Sequence, residues 1–144
     1  MAYNAIEIQG AVKHFGPTRA VDGVDLAVRT GELFGLIGHN GAGKTTLFKM
    51  MLGLLPPTRG DIRIDGQSVR GDAFREVRRR IGYLPESLAL YDNLSGLEIM
   101  QFFARLKNAD LASCLPLLEK VGLADTARRR VRGYSKGMRQ RLGF

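Results

Sequence analysis

The sequence predicts an α/β fold in which a phosphate-binding turn joins a buried strand to a helix, with an antiparallel β layer before it and a helical insert after it. Three observations carry this expectation. Residues 33–37 (Leu-Phe-Gly-Leu-Ile) form a short apolar run of the kind that becomes a buried strand. Residues 38–45 fit the phosphate-loop pattern G-x-x-x-x-G-K-[ST]. Residues 46–54 then place Leu47, Met50, Met51 and Leu54 at helical spacing. Strand, loop and helix thus follow one another in the order that the motif needs.

The chemistry of the loop follows from its residues. Gly38, Gly41 and Gly43 let backbone N–H groups converge on an anion. The helix behind them offers unpaired N–H groups and the positive end of its dipole. Lys44 can reach the β- and γ-phosphates of a nucleoside triphosphate, and the Thr45 hydroxyl can ligate Mg²⁺. His39, Asn40, Ala42 and Thr46 complete the stretch that would surround the phosphates. The plainer alternative is a glycine turn with one exposed lysine, but it leaves the flanking strand and helix unexplained.

Ahead of the loop, Ile6, Ile8 and Val12 suggest alternating burial, and Phe15-Gly16-Pro17-Thr18 reads as a turn. Val24, Leu26 and Val28 alternate with Asp25, Ala27 and Arg29, as in a half-buried strand. After the loop helix, Pro56-Pro57-Thr58-Arg59-Gly60 is a stop, and residues 61–66 read as a strand ending in a turn. Asp72 is expected to cap a helix running through Arg80, and residues 81–84 (Ile-Gly-Tyr-Leu) read as a second buried strand cut off by Pro85. Beyond it the character is helical. Ser95 and Glu98 form a capping box, Leu97, Met100, Phe103 and Leu106 share a helix face, residues 111–121 form a further helix stopped by Gly122, and a last helix begins after Ser135.

Composition narrows the classes. The chain has 144 residues, enough for one domain with a core, and one cysteine, Cys114, so no disulfide can form within it. No stretch approaches the ~18 apolar residues of a membrane span, and the N-terminus lacks the pattern of a secretory signal. Of the net charge of +8, residues 120–144 hold +7: eight basic side chains and one acid, Asp125. Such an end can bind nucleic acid, or it can be half of a domain whose acidic half lies elsewhere. His14 and His39 have no metal-ligand partners at usable spacing.

With these stretches in this order, the chain resembles the first part of an ATP-binding cassette ATPase, the motor domain of ABC transporters. The resemblance implies a P-loop nucleoside-triphosphatase core with an antiparallel β layer and a helical insert, truncated before the catalytic strand. It implies that residues 1–144 are the N-terminal part of one such domain. In that division 1–90 are the nucleotide core and β layer, 91–135 the helical insert and 136–144 the start of the signature helix. Phe15 matches the aromatic that stacks on adenine; a core phenylalanine at a strand end is the alternative. Glu86 stands where the family has the Q-loop glutamine, which helps hold Mg²⁺ and the attacking water. A carboxylate can ligate Mg²⁺, but when ionised it cannot donate a hydrogen bond. Residues 134–141 (Tyr-Ser-Lys-Gly-Met-Arg-Gln-Arg) resemble the signature motif, with Lys136 in place of its first glycine and Met138 in place of its glutamine. Ser135, Lys136 and Gly137 would there face the γ-phosphate held by a partner cassette.

The resemblance further implies ATP and Mg²⁺ as cofactors, a second cassette, most simply a homodimer, an integral membrane permease, and a place on the cytoplasmic face of the cell membrane. No nucleic-acid partner is expected. The catalytic glutamate and switch histidine of the family have no counterpart among these residues, so the chain alone is expected to bind ATP weakly without turnover at transporter rates. A non-catalytic binding module and a soluble cassette acting on nucleic acid are the alternatives. The motifs are similar to those of ABC-2 type transporters, and among these to the ATPase subunits that serve copper handling for nitrous oxide reductase maturation.

Overall fold

A computed structural model describes residues 3–144. The chain forms two compact units, Met1–Ile81 and Gly82–Phe144. Leu90 and Leu94 pack on the core of the second unit.

The first unit is built on a long hairpin of β1 (Asn4–Phe15) and β2 (Thr18–Arg29). The Gly16-Pro17 pair turns the chain where the sequence places it. β3 (Arg59–Ile64) pairs antiparallel with β1, and the short β4 (Gln67–Ser68) pairs with β3, giving the order β2-β1-β3-β4. The register sets Ile8 opposite both Leu26 and Ile62, and Ile6 opposite Val28 and Ile64, so apolar residues line up across three strands. The β1–β2 register shifts between Ile8 and Ala11, and there the Gly10 N–H donates to the Asp25 carboxylate at 2.7 Å instead of to a ladder carbonyl.

α1 (Lys44–Met51) and α2 (Phe74–Arg80) complete this unit. Leu47, Met50 and Met51 are buried with Ile8, Ala11, Val21, Ile62, Phe74 and Val77. At eight residues α1 is shorter than the ~12–15 needed for an isolated helix in water, so its packing holds it. Each of those three side chains contributes about 1.5–3 kcal/mol by burial.

The second unit is helical: α3 (Gly96–Leu106), α4 (Cys114–Lys120) and α5 (Lys136–Gly143), joined by 3-10 turns at Leu111–Ser113, Ala124–Thr126 and Val131–Gly133. Its core is Ile99, Leu118, Leu123, Ala127, Val131, Tyr134 and Leu142. The capping box forms as expected. The Ser95 N–H donates to the Glu98 carboxylate at 2.7 Å, and the Glu98 N–H donates to Ser95 Oγ at 3.2 Å. Pro116 is tolerated in α4 because it lies in the first turn, where its missing N–H has no intrahelical partner to lose.

Four local expectations are corrected. Residues 33–37 are not a strand: no ladder includes them, Leu33 is 99% exposed and Ile37 95%, and only Leu36 packs against the core. Residues 81–84 likewise form no strand, and Tyr83 and Leu84 are exposed. A strand buried on both faces needs hydrogen-bonded neighbours, and the sheet of the described residues is filled by β2, β1, β3 and β4 alone. Asp72 does not cap α2 with its side chain; the helix starts at Phe74 after Ala73, and the Asp72 carbonyl accepts from the Arg75 N–H. On α3 the most deeply buried side chain is Ile99, while Phe103 and Leu106 are exposed. Leu97 and Met100 of the expected face do pack against that core, and Ile99 beside them is the part of the contact that the expectation missed.

Candidate functional site

The loop between β2 and α1 gathers the first set of candidate residues. Gly41 and Gly43 have φ of +87° and +86°, in the left-handed region that side chains disfavour. At Gly43 there is a second constraint. A Cβ there would stand 2.1 Å from the Ala20 carbonyl oxygen, so the loop lies directly on the backbone of β2. Gly41 has no atom within 4 Å of the equivalent position. One glycine is therefore required by conformation and the other by conformation and contact.

Gly43 is also the N-cap of α1, and it supplies no capping side chain. The first turn carries no acidic residue. The N–H groups at this helix end remain available to an anion, and the dipole favours one. Lys44 folds back over the loop: its ammonium donates to the carbonyls of Gly38 at 2.5 Å and His39 at 2.8 Å. The His39 ring Nδ1 lies 2.8 Å from the Asn40 carbonyl, and the Ala42 N–H donates to the His39 carbonyl at 3.1 Å. Thr45 is exposed at the head of the helix, and Thr46 is half-buried behind it. A ring of glycine backbone, one ammonium and one exposed hydroxyl is a donor set that fits a Mg²⁺-bound triphosphate.

Phe15 ends β1 in the same unit. It is 48% exposed, so it is not the core phenylalanine of the alternative reading. Residues 38–46 and Phe15 thus come from one compact unit. Glu86 and Ser135–Gly137 belong to the other. Glu86 is exposed after Pro85. Ser135 caps α5, its hydroxyl accepting from the Met138 N–H at 3.2 Å, and Ser135, Lys136 and Gly137 are all exposed at the helix start. Two arginines of the basic end are engaged internally. Arg139 pairs with Asp92 at 2.7 Å, and Arg141 donates to the Val121 and Gly122 carbonyls. Among the described residues no three His, Cys, Asp or Glu side chains gather into a metal site, and no helix is long and apolar enough to cross a membrane.

Two features of the site escaped sequence reasoning. The Ala20 carbonyl under Gly43 is more than twenty residues away in sequence and has no side-chain signal. The Lys13 ammonium lies over the Phe15 ring, and only the spacing of a basic and an aromatic residue two apart on a strand hinted at it.

The profile of the ABC transporter family matches residues 21–144. A daunorubicin resistance ATP-binding protein of Streptomyces coeruleorubidus is 44% identical over 99% of this chain and 46% of its own length. A bacitracin transport ATP-binding protein of Enterococcus faecalis is 39% identical over 96% of the chain and 45% of its own. The chain thus spans about half the length of the curated relatives it matches. Among solved structures, an ATP-binding subunit of an ABC transporter superposes with a TM-score of 0.82 at 30% identity, covering 96% of this chain and 59% of that one. A dimeric ATP-binding cassette bound to ADP and Pi shares the fold, with a TM-score of 0.81 at 23% identity. By family profile, relatives and fold, the chain belongs to the ABC transporter ATP-binding domains.

Proposed function

We propose that these residues form the nucleotide-binding part of an ABC transporter motor subunit. The observation that carries the reading is the loop of residues 38–46: a left-handed glycine pressed on β2, an uncapped helix N-terminus and an ammonium folded over the loop. The backbone N–H groups of this loop and Lys44 bind the β- and γ-phosphates of ATP. Thr45 would ligate Mg²⁺. The bound Mg²⁺ supplies charge neutralisation on the phosphates. Phe15 stacks on adenine. Ser135, Lys136 and Gly137, at the start of α5, meet the γ-phosphate held by the loop of a second copy of the chain. No residue of the 144 is assigned as the base that activates water, so binding rather than turnover is the activity assigned to them.

In this reading two cassettes close on two ATP molecules, because ATP binds the closed pair better than the open one, and that difference moves an attached membrane permease. The site of action is the cytoplasmic face of the membrane. The relatives' names, daunorubicin resistance, bacitracin transport and lantibiotic transport, favour a drug or antibiotic as cargo. Copper handling for nitrous oxide reductase, the narrower reading of the motifs, draws no support from those names or from any metal-binding cluster among the described residues.

Titration of the purified protein with a fluorescent ATP analogue and Mg²⁺ tests the assignment. Saturable binding displaced by ATP is expected. Lys44→Ala should weaken it about 10- to 100-fold, the value of one or two charge-assisted hydrogen bonds. Binding unaffected by Lys44→Ala refutes the phosphate-loop reading.

A further inference from the structure

The base platform has a companion that the motifs do not include. The Lys13 ammonium stands 5.3 Å from the centre of the Phe15 ring. It is not a free side chain: the same nitrogen donates to the Pro56 carbonyl at 2.7 Å. Two further bonds fix the place. The Thr58 N–H donates to the Val12 carbonyl at 2.8 Å, and the His14 N–H donates to Thr58 Oγ1 at 3.1 Å. The end of β1 is therefore tied to the segment that follows α1, the helix that carries the phosphate loop.

A cation over a benzene ring is held by the ring's negative face. Lys13 thus restrains an otherwise half-exposed side chain in one orientation and draws electron density toward one side of the ring. The rest of the ring remains open to stack against an electron-rich heterocycle in the offset manner that aromatic rings prefer. We propose that Lys13 is a positioning residue for the nucleotide base, presenting Phe15 to a purine at a fixed distance from the phosphate loop. The proposal rests on the assignment of Phe15 to the base. Lys13 acts through that ring and does not touch the nucleotide.

The experiment compares ATP with inorganic tripolyphosphate, each with Mg²⁺, as competitors of a fluorescent ATP analogue on the purified protein. The ratio of their dissociation constants isolates the contribution of base and sugar. Lys13→Met should reduce the preference for ATP about two- to fivefold, the range of a solvent-exposed cation–π contact. Lys13→Arg should retain it, and Lys13→Met added to Phe15→Leu should reduce it no further. A Lys13→Met protein that loses ATP and tripolyphosphate affinity by the same factor overturns the proposal, as does one with an unchanged ratio. Lys13→Gln provides a second variant should Lys13→Met fold poorly. The two assignments fail separately. A lowered ratio in Phe15→Leu without one in Lys13→Met removes Lys13 alone, whereas an unchanged ratio in Phe15→Leu removes both.

Discussion

Substituting alanine at two glycines of one loop gives a test whose magnitudes come from the structure. Gly41 and Gly43 have nearly the same φ, +87° and +86°. Forcing an alanine into this left-handed region costs about 1–2 kcal/mol at either position. At Gly41 that is the whole cost, since a Cβ would meet nothing within 4 Å. At Gly43 the Cβ would stand 2.1 Å from the Ala20 carbonyl oxygen, which is backbone of β2 and cannot rotate away. Either the loop lifts off the strand or the hairpin gives. The total is expected to reach about 3–5 kcal/mol, in the class of changes that strain a packed backbone. Nucleotide titration and thermal unfolding of the two variants form the assay. Gly41→Ala should bind ATP with a loss of about 30-fold or less, corresponding to the 1–2 kcal/mol above. Gly43→Ala should lose more than about 100-fold or unfold at a clearly lower temperature. Equal behaviour of the two proteins would refute the argument that the loop is seated on β2.

Three other outcomes are expected. Ser135→Ala removes the N-cap of α5, whose hydroxyl accepts from the Met138 N–H, and should cost about 1 kcal/mol, read in denaturant unfolding. Tyr134→Phe deletes the hydroxyl that donates to the Thr126 carbonyl at 2.7 Å, and should destabilise the helical unit by about 1–2 kcal/mol, read as a shift in the denaturant midpoint. The third concerns acid. The Glu98 carboxyl is held below its ordinary value by the Ser95 backbone N–H, then by the Ser95 hydroxyl, with Arg130 adding a smaller attraction. A depressed carboxylate stabilises the fold above its unfolded value and loses that contribution as pH falls through the folded one. Wild-type protein should therefore lose more stability than Glu98→Gln as pH drops below about 4.5, with the two curves parallel near neutrality; urea titrations at several pH values check it.

What was legible in the sequence was local. The β1–β2 hairpin follows from the alternation at Val24, Leu26 and Val28 and from Gly16-Pro17, whose signals are read within a few residues. The caps at Ser95 and Ser135 obey the same logic, since donor and acceptor lie three residues apart. The phosphate loop was legible because its pattern fixes both conformation and chemistry in eight positions. Residues 33–37 and 81–84 failed because an apolar run states a need for burial and says nothing of which strands will meet it. Ile99 was missed because the buried side of α3 is chosen by Leu123, Ala127, Val131 and Tyr134, which reach it from well beyond the helix. The 3-10 turns around them are too short to show a period. In the site, the Ala20 carbonyl and the Pro56 anchor of Lys13 are main-chain atoms, and their role depends on tertiary approach alone.

The bare segment at 33–37 bears on handling the protein at the bench. Leu33 and Ile37 present apolar side chains to water beside main-chain N–H and C=O groups that no ladder engages. Such a stretch is a template onto which another molecule's backbone can add. Self-association of this chain should accordingly rise with concentration and ionic strength, as the repulsion from its net charge of +8 is screened. A charged residue placed at Ile37 would act as a gatekeeper, raising the concentration at which turbidity begins without touching the core packed around Leu47 and Met50.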